Sequence, residues 1–372
     1  MRIAMMLRAL DEKGGVAVYA RYITEELLEL DQQNHYFLYY SSPEHLGRYA
    51  KFPNVTERML KRRNKIYWDQ VAVPRAGKRD KVDVIFHPKF TVPLLTGCKT
   101  AMVLHGAGWF IPEFQNFWKP LDLKYIRTVM PLYCRKASAI LSVSQVTTDV
   151  FNETLKVTPG KIRTVYFGPG KQFRPVDDPA VLQAVREKYR LPERYIFTLS
   201  KYPGGDRKNI DGILEAFRIC HPEIEHKLVI GGKDCHNFLR DYNVPEDGYG
   251  SDIIFPGYID QADLPAVYTM ADLYLYPSNM EAFPIPITEA LACGKPIITS
   301  DQNGLREIAG DAALRVNARD PQAIADAICK VLQDDKLRKT LSHNSLERSK
   351  MFSWKKCARE TLGILESLNA DG

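Results

Sequence analysis

The sequence predicts an α/β protein made of two parallel-sheet domains, and three observations predict it. Short apolar runs bounded by turn residues alternate with amphipathic stretches along the chain, the pattern of repeated βα units. The stretch Tyr274–Ser300 (YLYPSNMEAFPIPITEALACGKPIITS) holds one such unit in full. Its flanking runs, Leu273–Tyr276 and Ile297–Ser300, read as buried parallel strands with a short helix between them. Finally, 372 residues exceed what one core of ordinary size encloses. The Gly- and Pro-rich Tyr166–Pro175 (YFGPGKQFRP) supplies a linker.

In chain order, Arg2–Leu7 reads as the first strand. Gly14-Gly15 then precedes Val16, Tyr19, Ile23, Leu27 and Leu30, the apolar face of an amphipathic helix. A strand, a glycine pair and a helix N-terminus form a natural anion site, because backbone amides can approach a phosphate closely. The G-x-G-x-x-G fingerprint of dinucleotide binding is missing. Further strands are expected at Tyr36–Tyr40, Val82–Phe86, Thr100–Leu104 and Ala139–Val143, with a helix over Leu121–Lys136. His105 follows directly on its strand, at the carboxyl edge where ligands bind in open α/β sheets. A histidine hydrogen-bonded within its loop is the plainer reading. Ser144 is placed to cap the helix after Ala139–Val143.

The second half opens with a helix over Pro179–Tyr189 and a strand over Tyr195–Leu199. The strand runs into SKYPGGDRKN and the helix Ile210–Cys220, so Lys201, Arg207 and Lys208 stand in a glycine-containing loop before a helix N-terminus. Such a loop suits a diphosphate, since the side-chain charges add to the helix dipole. No Walker A pattern occurs. Strands at Lys227–Ile230 and Ile253–Phe255 and a helix over Asp263–Met270 lead to Tyr274–Ser300. There Pro286 is expected to open the helix as its first residue, and Gly294, with Pro296 two residues on, to give a left-handed stop. Glu281 falls in the loop and Glu289 in the first helical turn, both toward one crevice. A strand at Ala313–Val316 and helices over Asp320–Leu332, Lys336–Ser349 and Phe352–Leu368 complete the chain.

Apolar content of 45% and charged content of 26% describe an ordinary globular chain. The seven cysteines are scattered without a C-x-x-C, which points to free thiols in a reducing compartment and against a disulfide framework or a zinc site. No run approaches the roughly 18 apolar residues of a membrane span, and Met1–Leu7 is too short for a secretory leader. The expected location is the cytoplasm, with the inner face of the cell membrane as a peripheral site. The net charge of +6 is unevenly placed. Lys61, Arg62, Arg63, Lys65, Arg75, Lys78, Arg79 and Lys81 are opposed only by Asp69 and Asp80, and Ile66, Tyr67 and Trp68 interrupt them. The cluster is a candidate contact for anionic lipid or an acidic acceptor, with a solvated surface helix as the alternative. A nucleic-acid partner would rest on charge alone and is not expected. No D-x-D motif occurs, so no divalent metal is called for.

Taken together, these residues resemble the retaining, nucleotide-sugar-dependent glycosyltransferases of family 4. The similarity is carried by Gly14-Gly15, His105, SKYPGGDRKN, GYIDQADLPAVYTMADLYLYPS, the Glu281/Glu289 pair in E-x7-E spacing with A-L-A-C-G-K-P after it, and LREIAGDAALRV. It implies the GT-B fold: two Rossmann-like parallel-sheet domains facing across a cleft, with a C-terminal helix crossing back to the N-terminal domain. The implied divisions are 1–168 for the acceptor, 169–351 for the nucleotide sugar and 352–372 for the returning helix. The resemblance implies that Glu289 accepts from the ribose hydroxyls and that Glu281 lies near the sugar ring. It implies that Lys201 and Lys208, with Arg207 beside them, hold the diphosphate. Gly14 or Gly15 would present an amide to the distal phosphate, His105 would contact the transferred sugar, and Phe283 and Ile285 would line the donor. The usual G-F-G after the first glutamate is here Ala282-Phe283-Pro284, and Pro284 has no N–H to offer. Lys201 stands where the family usually has arginine, a point charge in place of a planar fork.

The reaction so implied moves a hexose from a GDP-mannose or UDP-glucose type donor to a hydroxyl of a glycan or lipid-linked acceptor, with retention and without cofactor or metal. Two rivals differ in class. A glycosidase would use Glu281 and Glu289 as acid and nucleophile, which leaves the basic loop Lys201–Lys208 without a purpose. A non-catalytic sugar-nucleotide-binding subunit or regulator would bind donor without transfer.

Overall fold

The computed structural model describes residues 1–12 and 14–370, and in them every strand pairing is parallel, in two sheets. The chain divides into two compact units, one of Met1–Phe167 together with the chain from Ser353 onward, the other of Gly168–Phe352. Residues 371–372 of the expected returning segment lie outside the described residues.

The first unit carries β1 (Arg2–Met6), β2 (His35–Tyr40), β3 (Val55–Met59), β4 (Val84–His87), β5 (Lys99–Leu104), β6 (Ala139–Ser142) and β7 (Ile162–Thr164), in the order β3-β2-β1-β4-β5-β6-β7. Chain order reverses between β1 and β4, where Ile3 lies opposite Val84. Loops leaving the carboxyl ends of β1 and β4 diverge there, which opens the usual ligand crevice of a doubly wound sheet. Ile3–Met6 are fully buried on both faces, as a central parallel strand requires. The helix Trp354–Ala370 belongs to this unit. Its Trp354 stacks on Phe167 (centroids 4.7 Å) and Tyr22 (5.0 Å) and meets Tyr19 edge-on (5.5 Å). Ser144 caps the helix Gln145–Leu155 as expected, its Oγ accepting from Thr147 N–H.

The basic stretch folds as two short helices, Lys65–Tyr67 and Val73–Arg79, joined by a π-helical turn over Trp68–Ala72. Trp68 does not interrupt the charge on the surface. It is fully buried, in the core with Met6, Tyr39 and Val73. The two opposing acids also turn inward. Asp69 takes a forked pair of bonds from Arg8 (3.0 and 2.8 Å) and one from Thr91 Oγ1 (2.9 Å), and Asp80 is held by Tyr39, Arg79 and Arg58. The eight cations of the cluster are all exposed.

The second unit repeats the plan with β8 (Tyr195–Leu199), β9 (Lys227–Gly231), β10 (Ile253–Ile254), β11 (Leu273–Tyr276), β12 (Ile297–Ser300) and β13 (Ala313–Val316), in the order β10-β9-β8-β11-β12-β13. Its reversal falls between β8 and β11, where Phe197 lies opposite Tyr274. Ile213 and Phe217 of the helix Ile210–Cys220 pack with Ile324, Ile328 and Val331 of Pro321–Gln333. The helix after β11 runs Ile285–Ala292, with Pro284 as its extended cap. Pro286 is therefore its second residue, not its first. Either position is open to proline, because the first four helical N–H groups have no intrahelical acceptor. Glu289 becomes the fifth residue, one position deeper than the sequence suggests and just past the first turn. Gly294 stops the helix in the left-handed region, at φ +66°. Among the described residues no helix is long and apolar enough to cross a membrane.

The Arg8–Asp69 fork has side-chain exposures of 4% and 6%. Asp69→Ala leaves a guanidinium buried without its counter-charge and should cost about 3–5 kcal/mol in urea unfolding. Replacing both partners, Arg8→Met with Asp69→Leu, should recover most of that loss.

Candidate active site

The second unit's site is assembled from the loops that leave β8 and β11. These strands are neighbours, so the loops meet, and backbone bonds stitch them together. The carbonyl of Arg207 accepts from Asn279 N–H (3.0 Å) and Ser278 Oγ (2.8 Å), and that of Asp206 from Asn279 Nδ2 (2.8 Å). Arg207 and Lys208 do not lie in an open loop, as the sequence suggested, but in a short helical turn, Gly205–Lys208. Asn209 breaks that turn from the next helix by adopting φ +57°, and its side-chain amide donates to the carbonyls of Pro277 (3.1 Å) and Ala318 (2.7 Å). Asparagine tolerates this conformation better than most residues. Lys201, at the start of the loop, is exposed.

Lys208 is thereby aimed inward. Its ammonium lies 2.5 Å from Glu281 Oε1 and also contacts the hydroxyl of Tyr276. Tyr276 OH donates to Glu281 Oε1 (3.2 Å), and Arg207 Nη2 approaches the same oxygen at 3.8 Å. Burial pushes the Glu281 carboxyl up, but the charges of Lys208 and Arg207 outweigh it and hold the group below the ordinary carboxylate range. Desolvation pulls Lys208 down, partly offset by Glu281. Glu281 is thus a carboxylate neutralised by the basic loop.

Glu289 has the opposite surroundings. It is 6% exposed, and its one hydrogen-bond donor among the described residues is Tyr268 OH, at 3.2 Å from Oε2. With no cation to offset it, burial pushes the carboxyl up to about 7. A ladder of buried tyrosines links the two carboxyl groups. Tyr274 and Tyr276 share a face of β11 and stack (5.7 Å, 18°), as period-two residues can. Tyr268 meets Tyr274 edge-on (5.1 Å).

Around these groups, Phe283 is buried against Phe352 (6.0 Å, edge-on), and Ile285 is half-buried at the helix start. The 281–282 backbone rests on Gly304, whose N–H donates to the Glu281 carbonyl (3.0 Å). A Cβ at position 304 would lie 2.0 Å from the Ala282 oxygen.

Gly14, Gly15 and His105 belong to the first unit. Gly14 caps the helix Gly15–Leu30 at φ +84°, ψ −152°, a conformation essentially reserved for glycine, and both glycines are exposed. His105 is half-buried just past β5, with Tyr19 edge-on to its ring at 4.9 Å. Its Nε2 lies 2.9 Å from the carbonyl of Pro88. A carbonyl only accepts, so Nε2 carries the proton and Nδ1 is left as the acceptor. Burial is the largest cause that brings the ring down to about 4, so it is neutral near pH 7. Close by, Lys89 pairs with Glu12, two residues the sequence reading passed over. Lys89 lies two positions past β4, and the edge rule that singled out His105 would have found it. Tyr268 and Tyr276 fall in an expected helix and an expected strand, and nothing in their spacing marks them as polar partners. Asp11, Glu44 and His45 form, among the described residues, the one group with ligand atoms close enough for a cation (within 4.8 Å). Arg62 and Ser41 already engage Asp11.

Lys208→Met should lower stability by about 3 kcal/mol at pH 7, because Glu281 is left buried with a weaker partner. Adding Glu281→Gln should restore part of it. The wild-type pair contributes fully above the ordinary carboxylate range and fades as pH falls through the depressed value of Glu281. In the variant, burial raises Glu281, so its folded state is favoured as pH falls. Denaturant midpoints measured from pH 4 to 8 should therefore show the gap narrowing toward acid.

Two family models match the chain, "Glycosyltransferase Family 4" over residues 13–168 and "Glycosyl transferases group 1" over residues 183–348. The O-antigen chain mannosyltransferase B of Escherichia coli is 29% identical over 300 residues, 78% of this chain and 76% of that protein. The serotype-specific mannosyltransferase WbdA of the same organism is 29% identical over 225 residues, 59% of this chain, which spans only 27% of that longer protein. Among solved structures, Anabaena HepE in complex with UDP-glucose superimposes with a TM-score of 0.75 at 16% identity, over 99% of this chain and 100% of that one. That likeness speaks for the fold. With both halves matched by glycosyltransferase models, and with the doubly wound pair of sheets seen in this structure, the chain belongs to the GT-B glycosyltransferases of family 4.

Proposed function

We propose that this glycosyltransferase moves a hexosyl group from a nucleoside diphosphate sugar to a hydroxyl of a glycan or lipid-linked saccharide, with retention of configuration and without a metal. The observation that carries the reading is the pairing of two unlike groups at one sheet reversal. One is a nearly buried carboxyl without a counter-ion, Glu289, and the other is a cluster of cations, Lys201, Arg207 and Lys208, on the adjoining strand's loop. A nucleoside diphosphate complements both, with ribose hydroxyls to donate and a diphosphate to be held.

In this reading Glu289 accepts from the ribose. Lys208, with Arg207 and Lys201, stabilises the charge that grows on the β-phosphate as the glycosidic bond to the sugar breaks, which is electrostatic catalysis by preorganised donors. Glu281 keeps Lys208 in place and lies on the sugar side, while Phe283 and Ile285 line the donor. The acceptor hydroxyl attacks from the face the diphosphate leaves, and a phosphate oxygen takes its proton. Gly14 and Gly15 carry the matching proposal in the first unit, an amide toward the distal phosphate, and His105 offers Nδ1 to a sugar hydroxyl. The relatives named as mannosyltransferases make GDP-mannose the first donor to test. The neighbour solved with UDP-glucose makes that donor the second. A glycosidase would not need the basic loop.

Thermal-shift and calorimetric titrations should detect one of these two donors, and transfer should follow in a screen of saccharide acceptors. Donor binding without transfer to any of them would instead support a non-catalytic subunit. Glu289→Ala should weaken donor binding by roughly 1.5–3 kcal/mol, the worth of hydrogen bonds to a charged acceptor, and unchanged affinity would refute the ribose assignment.

The cluster Lys61–Lys81 is proposed as a peripheral contact for anionic membrane, supported by eight exposed cations whose neighbouring acids face inward and by the exposed Ile66. Reversing Lys61, Arg63, Lys65 and Lys78 should abolish sedimentation with phosphatidylserine vesicles, leaving Arg62 and Arg79 on their acidic partners. Unchanged sedimentation would dismiss the contact.

A further inference from the structure

Glu289 is held by a single hydroxyl. Tyr268 is fully buried, wedged edge-on between Phe197 (5.2 Å) and Tyr274 (5.1 Å), with Phe173 at 6.1 Å, so its ring cannot swing away. Its hydroxyl proton has two acceptors, Glu289 Oε2 at 3.2 Å and the Pro286 carbonyl at 3.4 Å. The groups facing Glu289 are Tyr268 from the helix Leu264–Met270, Tyr274 from β11, and Cys293 at the end of its own helix. Burial raises all three above their ordinary values, so each is neutral near pH 7 and none supplies positive charge.

A carboxylate in that setting meets a conflict. Empty, it does better protonated, since desolvation penalises the charge and only one donor offsets it. To clamp a ribose it must accept from two hydroxyls, and a protonated acid has one oxygen committed as a donor. We propose that Tyr268 is the positioning residue of the nucleotide clamp, and that donor binding is coupled to loss of a proton from Glu289. On binding, the carboxyl O–H breaks, the proton passes to water, and two ribose O–H groups replace it. The ribose assignment is taken from the proposed function above; the proton coupling and the role of Tyr268 go beyond it.

The test is calorimetric titration of the full chain with GDP-mannose and UDP-glucose, whose diphosphates do not titrate between pH 6 and 8. With Glu289 midway near 7, affinity should rise about tenfold from pH 6 to pH 8. His105, at about 4, stays outside this window. Near pH 7, the binding enthalpy measured in buffers of different ionisation heat should report release of about half a proton. Tyr268→Phe should move the midpoint of the affinity–pH curve upward while keeping the high-pH plateau, whereas a merely structural lesion would lower the plateau and leave the midpoint. Glu289→Gln should bind weakly with a flat profile. Donor binding with no pH dependence and no proton release, or a Tyr268→Phe midpoint equal to wild type, would overturn the inference and leave the functional reading intact. Failure of both nucleotide sugars to bind at any pH would overturn the two together.

Discussion

A carboxylate and an ammonium 2.5 Å apart and largely out of water organise the second unit. Such a pair is stable only if its geometry is fixed and its remaining hydrogen-bonding capacity is met. The surrounding structure meets both conditions. Asn209 pins the turn that carries Lys208, the Arg207 carbonyl ties the β8 loop to the β11 loop, and Tyr276 donates to the shared oxygen. The sheet reversal is what allows this. β8 and β11 are neighbours at that reversal, so the loops after them meet and place residues 73 positions apart, 208 and 281, in one contact.

Two glutamates of the same stretch come out with opposite character. Glu281 is crowded by cations and stays ionised, while Glu289 meets, among the described residues, neutral hydroxyls, a thiol and aromatic rings and binds its proton more tightly. Environment, not residue type, assigns the work, as it does wherever one site needs two carboxyl groups in different states. The tyrosines of β11 and the helix before it give both groups a stiff floor.

Much of this was legible from residue order. β8, β11, β12 and β13 and the helices Pro179–Tyr189 and Ile210–Cys220 fall where the apolar periodicity places them. The two edge strands of the first sheet were not legible. β3 reads VTERM, and β7 has three residues, so neither presents the apolar run of a central strand. The helices within residues 65–79 hide behind Pro74, Gly77 and a crowd of cations. In the site, the glycine pair, His105, the basic loop and the two glutamates stand out because they sit just past strand ends. The partners of those groups do not. Tyr268 looks like core filling until the fold sets its hydroxyl against a carboxyl, and Trp68 looks like surface until Arg8 and Asp69 draw their segment inward. Pairings across long sequence separations leave no trace in local pattern.

The approach of Gly304 to the Ala282 carbonyl binds two distant pieces of sequence into one inheritable block. The loop at 281–284, with its unusual Ala and Pro, sits on a floor that has no room for a side chain at 304. Exchanging that loop for a relative's is therefore not a local graft. The segment from β12 into the helix Asn303–Ala309 has to travel with it, so chimaeras cut between the two should fold poorly whatever donor they were meant to bind.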